Sequence, residues 1–378
     1  MEQHIDVFDL SSGDGDIAAI VVGAGRSGST MLSNLLREHP AVLSLSEFFR
    51  LLNQSALSED ILDAAHFWEI IGAPALHLRF FLQQQVPMPE FLYPFKDPSS
   101  RFTSETGVPP LLLVTLPHLT SDYEAVYDEL HLVVQGFPPD RLERHFARLF
   151  GWLKHRFGRQ VCVERSGLSL PIVPMLTHLF PRTKFVHLVR DGRACAWSMS
   201  HHFAFRFMVS MAIPVETPAS VESVQREDEE GSGGNQQPSG LEQIDFRQIL
   251  SRPIPLEAFG SFWSRLIITG VQALSVLPEE QVLTIRYEDI VADPQHHLAR
   301  LTDFIDPTLS DANWLKRASA LIEDRLSGWQ QATARERKAL ENACQPGQSV
   351  LDLIAQEGMH SPKLPVLLQR YADASVAR

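Results

Sequence analysis

The sequence predicts an α/β fold, a parallel sheet flanked by helices. Three observations predict it. Two short apolar runs rich in β-branched residues, Ile17–Val22 and Lys184–Val189, read as buried strands. Each passes through a tight turn into a helical stretch, and strands alternating with helices imply parallel pairing with both sheet faces covered. The chain has 378 residues, enough for one large α/β domain with insertions or for two domains, and it needs no staple to hold a core.

Taken in order, Met1–Asp16 carry five acids and one histidine and read as a flexible tail, residues 1–16. Ile17–Val22 runs into glycines, then into an amphipathic helix from Ser29 to His39 stopped by Pro40. Ala41–Leu45 fits a second strand. Residues 53–159 are mostly helical in pattern, broken by the proline- and aromatic-rich stretch Val86–Pro98 and by Val108–Pro117. Val161–Glu164 fits a strand, and Pro171–Phe180 a helix ending at Pro181. Lys184–Val189 runs into Arg190-Asp191-Gly192 and a helix carrying Ala194–Met199.

Thr217–Gly240 breaks the composition with Glu227–Glu230 and Gly231-Ser232-Gly233-Gly234. It has too little to bury and reads as a flexible loop, residues 217–240. Gln281–Arg286 fits another strand. Asp293-Pro294 is a helix start, an Asp cap with proline at the first helical position. Thr333 to Glu336 fits a capping box that opens a C-terminal helix.

Acids outnumber bases 46 to 33, for a net charge of −13. That balance argues against nucleic-acid or anionic-membrane binding, which need a basic face, but admits a small anionic ligand held by a few arginines. The three cysteines, Cys162, Cys195 and Cys344, are widely spaced and form no disulfide framework or zinc pattern, which suits a reducing compartment. The pairs His201-His202 and His296-His297 lack a supporting metal-ligand set, so no metal is expected. The longest apolar runs fall short of the roughly 18 residues of a membrane span, and no leader pattern opens the chain. The reading is a soluble, cytoplasmic protein.

The first loop, Gly23-Ala24-Gly25-Arg26-Ser27-Gly28-Ser29-Thr30, is the most informative segment. Small residues let backbone amides approach an anion, and the following helix presents its positive end to it. Three ligand readings stand beside that of a plain tight turn. Gly23, Gly25 and Gly28 have the Rossmann spacing, and Glu47, about 20 residues on, stands where an acid would hold a ribose hydroxyl. Gly23, Gly28 and Thr30 have the Walker A spacing, but Ser29 replaces the lysine, which weakens a kinase or NTPase reading. The third reading adds a second anion site far downstream. Arg190 ends a strand and Ser198 follows in the next helix, and a guanidinium with a hydroxyl suits a phosphate. Two anion sites fit a nucleotide with phosphates at both ends of its ribose.

Here a family resemblance appears. Gly25 to Pro40 resembles the 5′-phosphosulfate loop of the sulfotransferases that use 3′-phosphoadenosine 5′-phosphosulfate (PAPS). Phe180 to Ser198 resembles the family's 3′-phosphate element, and Val282 to Pro294 its later strand and helix start. The resemblance implies a P-loop-kinase-like core over residues 17–305, with 53–159 as an acceptor-side insertion and 306–378 as a helical extension. It implies that Arg26, Ser27, Gly28, Ser29 and Thr30 hold the 5′-phosphosulfate, that Arg190 and Ser198 hold the 3′-phosphate, and that Tyr287 lies near the adenine. Cytosolic members usually carry lysine at the Arg26 position; arginine resembles the carbohydrate- and protein-directed members and many bacterial ones.

Glu47 resembles the general base of the tyrosylprotein and related bacterial branch, and Arg165, in Glu164-Arg165-Ser166, a residue facing the sulfuryl group. A histidine serves as base in the cytosolic branch, for which His77, His118, His131 and His201 qualify by residue type. The implied reaction moves a sulfuryl group from PAPS to a hydroxyl or amine of a small-molecule, lipid or carbohydrate acceptor, with no metal required. Phe91, Tyr93, Phe95, Phe203, Phe205, Phe207, Met208 and Met211 are candidates for an apolar acceptor wall, or for ordinary packing. A dehydrogenase, or a nucleotide-binding module without turnover, are the rival readings.

Overall fold

In a computed structural model, residues 15–53, 57, 61–74, 76–84, 88–212, 253–323 and 328–376 are described below. Residues 1–14 of the expected tail and the expected loop at 217–240 lie outside them. Seven strands are found among the described residues: β1 (Ile17–Val22), β2 (Val42–Ser46), β3 (Ile61–Leu62), β4 (Asp140–Arg141), β5 (Val161–Arg165), β6 (Lys184–Val189) and β7 (Val282–Arg286). Five form the central sheet in the order β2-β5-β1-β6-β7, and every pairing in it is parallel. The α/β class with a parallel sheet flanked by helices is what the sequence predicts.

The strand order decides between the two nucleotide folds. In a Rossmann sheet the second strand lies beside the first. Here β5 separates β1 from β2. The chain goes out to one edge, returns beside β1, and crosses to build the other half with β6 and β7. The crevice at this switch point, outside the carboxyl ends of the strands, is where such sheets bind ligands.

Strand composition explains the layering. Successive side chains of β1 alternate between two cores: Ile20 and Val22 join one, Ala19 and Val21 the other. The larger core includes Phe259, Trp263 and the rings of Phe48, Phe146 and Phe150, which pack edge-on or stacked on one another. The smaller holds Leu32, Leu36, Leu298 and Trp314. Burial of this kind contributes about 25 cal/mol per Å² of apolar surface.

Element ends shift from expectation in identifiable places. The second strand runs from Val42 to Ser46, since Ala41 instead accepts amides from Gln160 and Val161. The helix expected at Pro171–Phe180 divides into a 3-10 turn, Leu170–Ile172, and an α-helix, Val173–Leu179, because Pro171 and Pro174 each lack an amide donor. The break expected at Val108–Pro117 is helical after Pro110: a π-turn, Leu111–Thr115, continues into Leu116–Leu119. β3 and β4 form a small antiparallel pair that the pattern did not announce.

The C-terminal helix Ala334–Glu357 packs along the helix Leu256–Leu274. Leu340, Cys344 and Val350 enter the larger core beside Trp263. The capping box expected at Thr333 and Glu336 is present, both hydrogen bonds made. No helix among the described residues is long and apolar enough to cross a membrane.

Candidate active site

The carboxyl ends of the five central strands bring the singled-out residues to one edge. β1 leads into Gly23, β2 into Glu47, β5 ends on Arg165, β6 leads into Arg190, and β7 into Tyr287. Parallel register makes this unavoidable: Val21 and Ser46 both pair with Arg165, and Val189 with Arg286.

The loop after β1 folds tightly. Gly25 and Gly28 have φ of 86° and 93°, in the left-handed region glycine enters without penalty. A Cβ at Gly28 would collide with the Tyr287 ring, and one at Gly25 with Phe205. The helix Ser29–Arg37 follows with no side-chain cap. The amides from Arg26 to Thr30 find no protein acceptor among the described residues, and the Ser27 hydroxyl is buried without a partner. First-turn amides have no partner within their own helix, so this N-terminus has donors free to receive an anion.

Arg26 extends across the crevice. Its Nε donates to Ser198 Oγ at 2.9 Å and its Nη1 to Glu90 Oε1 at 2.9 Å. Arg190 lies beside it, with Nη1 3.4 Å from the Arg26 carbonyl oxygen and its guanidinium carbon 4.4 Å from the centre of the Tyr287 ring. Arg26, Arg190 and Ser198, chosen from separate parts of the sequence, thus share one place. Asp191 caps the helix Gly192–Ser200, accepting from the amides of Arg193 and Ala194, and this cap fixes the span between Arg190 and Ser198. Tyr287 is only 6% exposed. It buttresses the loop and Arg190.

Glu47 stands on the other side of the loop. Its carboxylate accepts from the Gly167 amide at 3.0 Å and pairs with the Arg165 guanidinium. Arg165 also donates to Ser46 Oγ at 2.6 Å, and its side chain is 4% exposed. Arg165 therefore clamps Glu47. Among the described residues, Arg26 and Glu47 are the non-glycine residues with positive φ, 59° and 55°. Such conformations cost about 1–3 kcal/mol each and gather at working sites.

Beneath this clamp, Glu164 is fully buried, accepting from Ser166 Oγ and the Phe49 amide while its Oε2 has no partner. Burial, reinforced by the nearby charge of Glu47, pushes its carboxyl up to about 8.

The histidine candidates separate. His118 is buried with Nε2 3.3 Å from Ser33 Oγ, and burial, with Arg37 and Arg165 nearby, pushes it down to about 3. His131 stacks on Trp68 in the insertion, and exposed His201 bonds the Trp197 carbonyl. The His77 side chain lies outside the described residues. The sequence reading missed Glu90 and His202. His202 Nε2 donates to Glu90 at 3.0 Å, joining both to Arg26. No motif marks them; only the approach of the insertion to the loop does.

The expected acceptor wall divides. Phe203 and Phe205 are buried packing, while Met88, Phe91, Tyr93, Phe95 and Lys96 line a cavity of about 280 Å³. No cluster of potential metal ligands occurs among the described residues.

Residues 19–226 match a family model described as "Sulfotransferase family", and residues 166–343 one described as "Sulfotransferase domain". No curated protein sequence matches. Among solved structures, the sulfotransferase domain from the curacin biosynthetic pathway is similar at 15% identity and TM-score 0.45, covering 89% of this chain and 98% of that one. The sulfotransferase domain of the Synechococcus PCC 7002 olefin synthase follows at 16% and 0.40, covering 86% of each chain. Sulfotransferase STF9 from Mycobacterium avium shows 14% and 0.43, covering 92% of this chain and 79% of that one. The first family match spans more than half of the chain and includes the loop, Glu47, Arg190 and Ser198; the chain belongs to the sulfotransferase family.

Proposed function

We propose that this sulfotransferase takes its sulfuryl group from PAPS and passes it to a hydroxyl or amine on an acceptor with an apolar body. The carrying observation is the convergence of unpaired loop amides, the unpaired Ser27 hydroxyl, Arg26, Arg190 and Ser198 at the carboxyl ends of the central strands. These residues fit a donor with phosphates at both ends of its ribose. The Arg26–Thr30 amides would hold the 5′ end, and Arg190 and Ser198 the 3′-phosphate. Tyr287 would act from behind, holding Gly28 and Arg190 in place.

In the reaction the acceptor oxygen or nitrogen bonds to sulfur as the bond from sulfur to the bridging phosphate oxygen breaks. Its electron pair stays on the leaving phosphate, giving PAP. Arg26 and the loop amides stabilise charge growing on that phosphate. Glu47 takes the acceptor proton, and the Arg165 clamp keeps its carboxylate in one orientation. Positioning and electrostatics carry the transfer, as in phosphoryl transfer. No residue of this proposal is assigned to a metal.

The cavity lined by Met88, Phe91, Tyr93 and Phe95, together with Lys96 and Asp97, could take an acceptor with both an apolar body and a polar group. A chain working in the cytoplasm fits the free thiols of Cys162, Cys195 and Cys344.

Thermal unfolding with PAP, ATP and NAD in parallel tests the donor, on the wild type and on Arg190→Ala. A ligand at about 100 times its dissociation constant adds about 2.7 kcal/mol. PAP is expected to stabilise the wild type and not the variant. Stabilisation by NAD, or none by PAP, would overturn the reading. PAP binding without sulfuryl transfer to any acceptor would favour a nucleotide-binding module.

A further inference from the structure

Glu90 presents a chemical conflict. Its carboxylate pairs with Arg26 at 2.9 Å, the cation that on the reading above faces the donor's 5′ end. Two anions on one guanidinium repel each other, and like charges placed together are unfavourable. Glu90 is charged: burial works against ionisation, but the hydrogen bond from His202 and the charge of Arg26 hold its carboxyl below the ordinary value. It also has a partner that it keeps. His202 Nε2 lies 3.0 and 3.1 Å from its two oxygens, so the carboxylate already has a second partner when Arg26 is withdrawn. The Arg26 and Glu90 side chains are 32% and 25% exposed, so an entering ligand can reach their contact. The His202 side chain is 10% exposed, fixed against Phe205 at the edge of the loop.

We propose that Glu90 is a built-in competitor of the donor: its carboxylate occupies Arg26 in the free chain and is displaced from it, left on His202 alone, when the donor's anionic end enters the loop. The proposal rests on the donor reading above.

The test is calorimetric titration of the full chain with PAP, using wild type, Glu90→Gln, His202→Phe and Arg26→Ala, with circular dichroism to confirm folding. Glu90→Gln keeps the shape and loses the charge; it is expected to bind PAP on the order of tenfold more tightly than wild type. Glu90→Gln added to Arg26→Ala is expected to change PAP affinity less than twofold, because the competition is for that guanidinium. His202→Phe is expected to weaken PAP binding, and Glu90→Gln to restore it, a rescue that mere loss of packing would not show. Equal or weaker PAP binding by Glu90→Gln overturns the proposal and leaves the donor reading intact. A wild type that binds no PAP overturns the donor reading, and the proposal with it.

Discussion

Arg26 and Glu47 share a backbone property that neither side chain needs. Both sit at positive φ, where glycine would be cheaper by about 1–2 kcal/mol. The fold bears that cost at the two positions offered as charge stabiliser and base. At Glu47 the carboxylate is already held by Arg165 and the Gly167 amide, so Glu47→Gln keeps a hydrogen-bonding group in place. It is expected to lower kcat by about 10²–10⁴ while PAP affinity stays within about twofold, measured by steady-state kinetics and titration. A loss of affinity matching the loss of kcat would make Glu47 part of the donor cradle instead. Motif spacing marks Arg26, Ser27, Arg190 and Ser198 in the sequence, because they lie in the turns and first helices that follow β1 and β6. Glu90 and His202 are not legible there; they meet only because the insertion folds back over the loop, and no local pattern encodes that approach.

Turns and caps decide the elements. Asp191 accepts from two amides at the start of the helix Gly192–Ser200 and also pairs with Arg193. Asp191→Ala is expected to lower stability by about 0.5–2 kcal/mol, read from denaturant unfolding. It is also expected to weaken PAP binding, because the cap fixes the helix that carries Ser198 behind Arg190. The apolar runs of β1 and β6 are legible because parallel strands buried on both faces are continuously hydrophobic. Two-residue strands such as β3 and β4 carry no period, and they form only where the helices around them bring Ile61 opposite Arg141. The π-turn at Leu111–Thr115 is hidden for a related reason. Prolines at 109, 110 and 117 suggest an interruption, while full burial of Leu111, Leu112 and Leu113 selects a helix.

At the scale of the whole molecule, the strand order excludes the Rossmann sheet that the glycine spacing alone left open. Among the buried titratable groups, His118, His187 and Glu164 have shifts whose linkage to folding can be signed. His118 and His187 are pushed down to about 3 and about 4, in both cases chiefly by burial. As pH falls below the ordinary value of 6.5, the unfolded chain binds protons the folded chain refuses, and stability falls by about 1.4 kcal/mol per pH unit for each group. Glu164, pushed up to about 8, acts in the opposite sense: between its ordinary value and about 8 the folded chain keeps a proton the unfolded chain has lost, so stability falls as pH rises. The three groups together place maximum stability near pH 6.5. Melting temperatures across pH 4 to 9 are expected to show that maximum, and Glu164→Gln to flatten the alkaline limb and to steepen the acid limb above the ordinary carboxyl value. A variant profile parallel to the wild type would contradict the assignment.

The donor site itself is tested most directly by a crystal structure of the chain with PAP. The 3′-phosphate is expected between Arg190 and Ser198 and the 5′-phosphate on the amides of Arg26 to Thr30, with Arg26 released from Ser198. A nucleotide bound elsewhere, or one held at the loop with Arg190 and Ser198 untouched, would contradict the reading of these residues as a PAPS site.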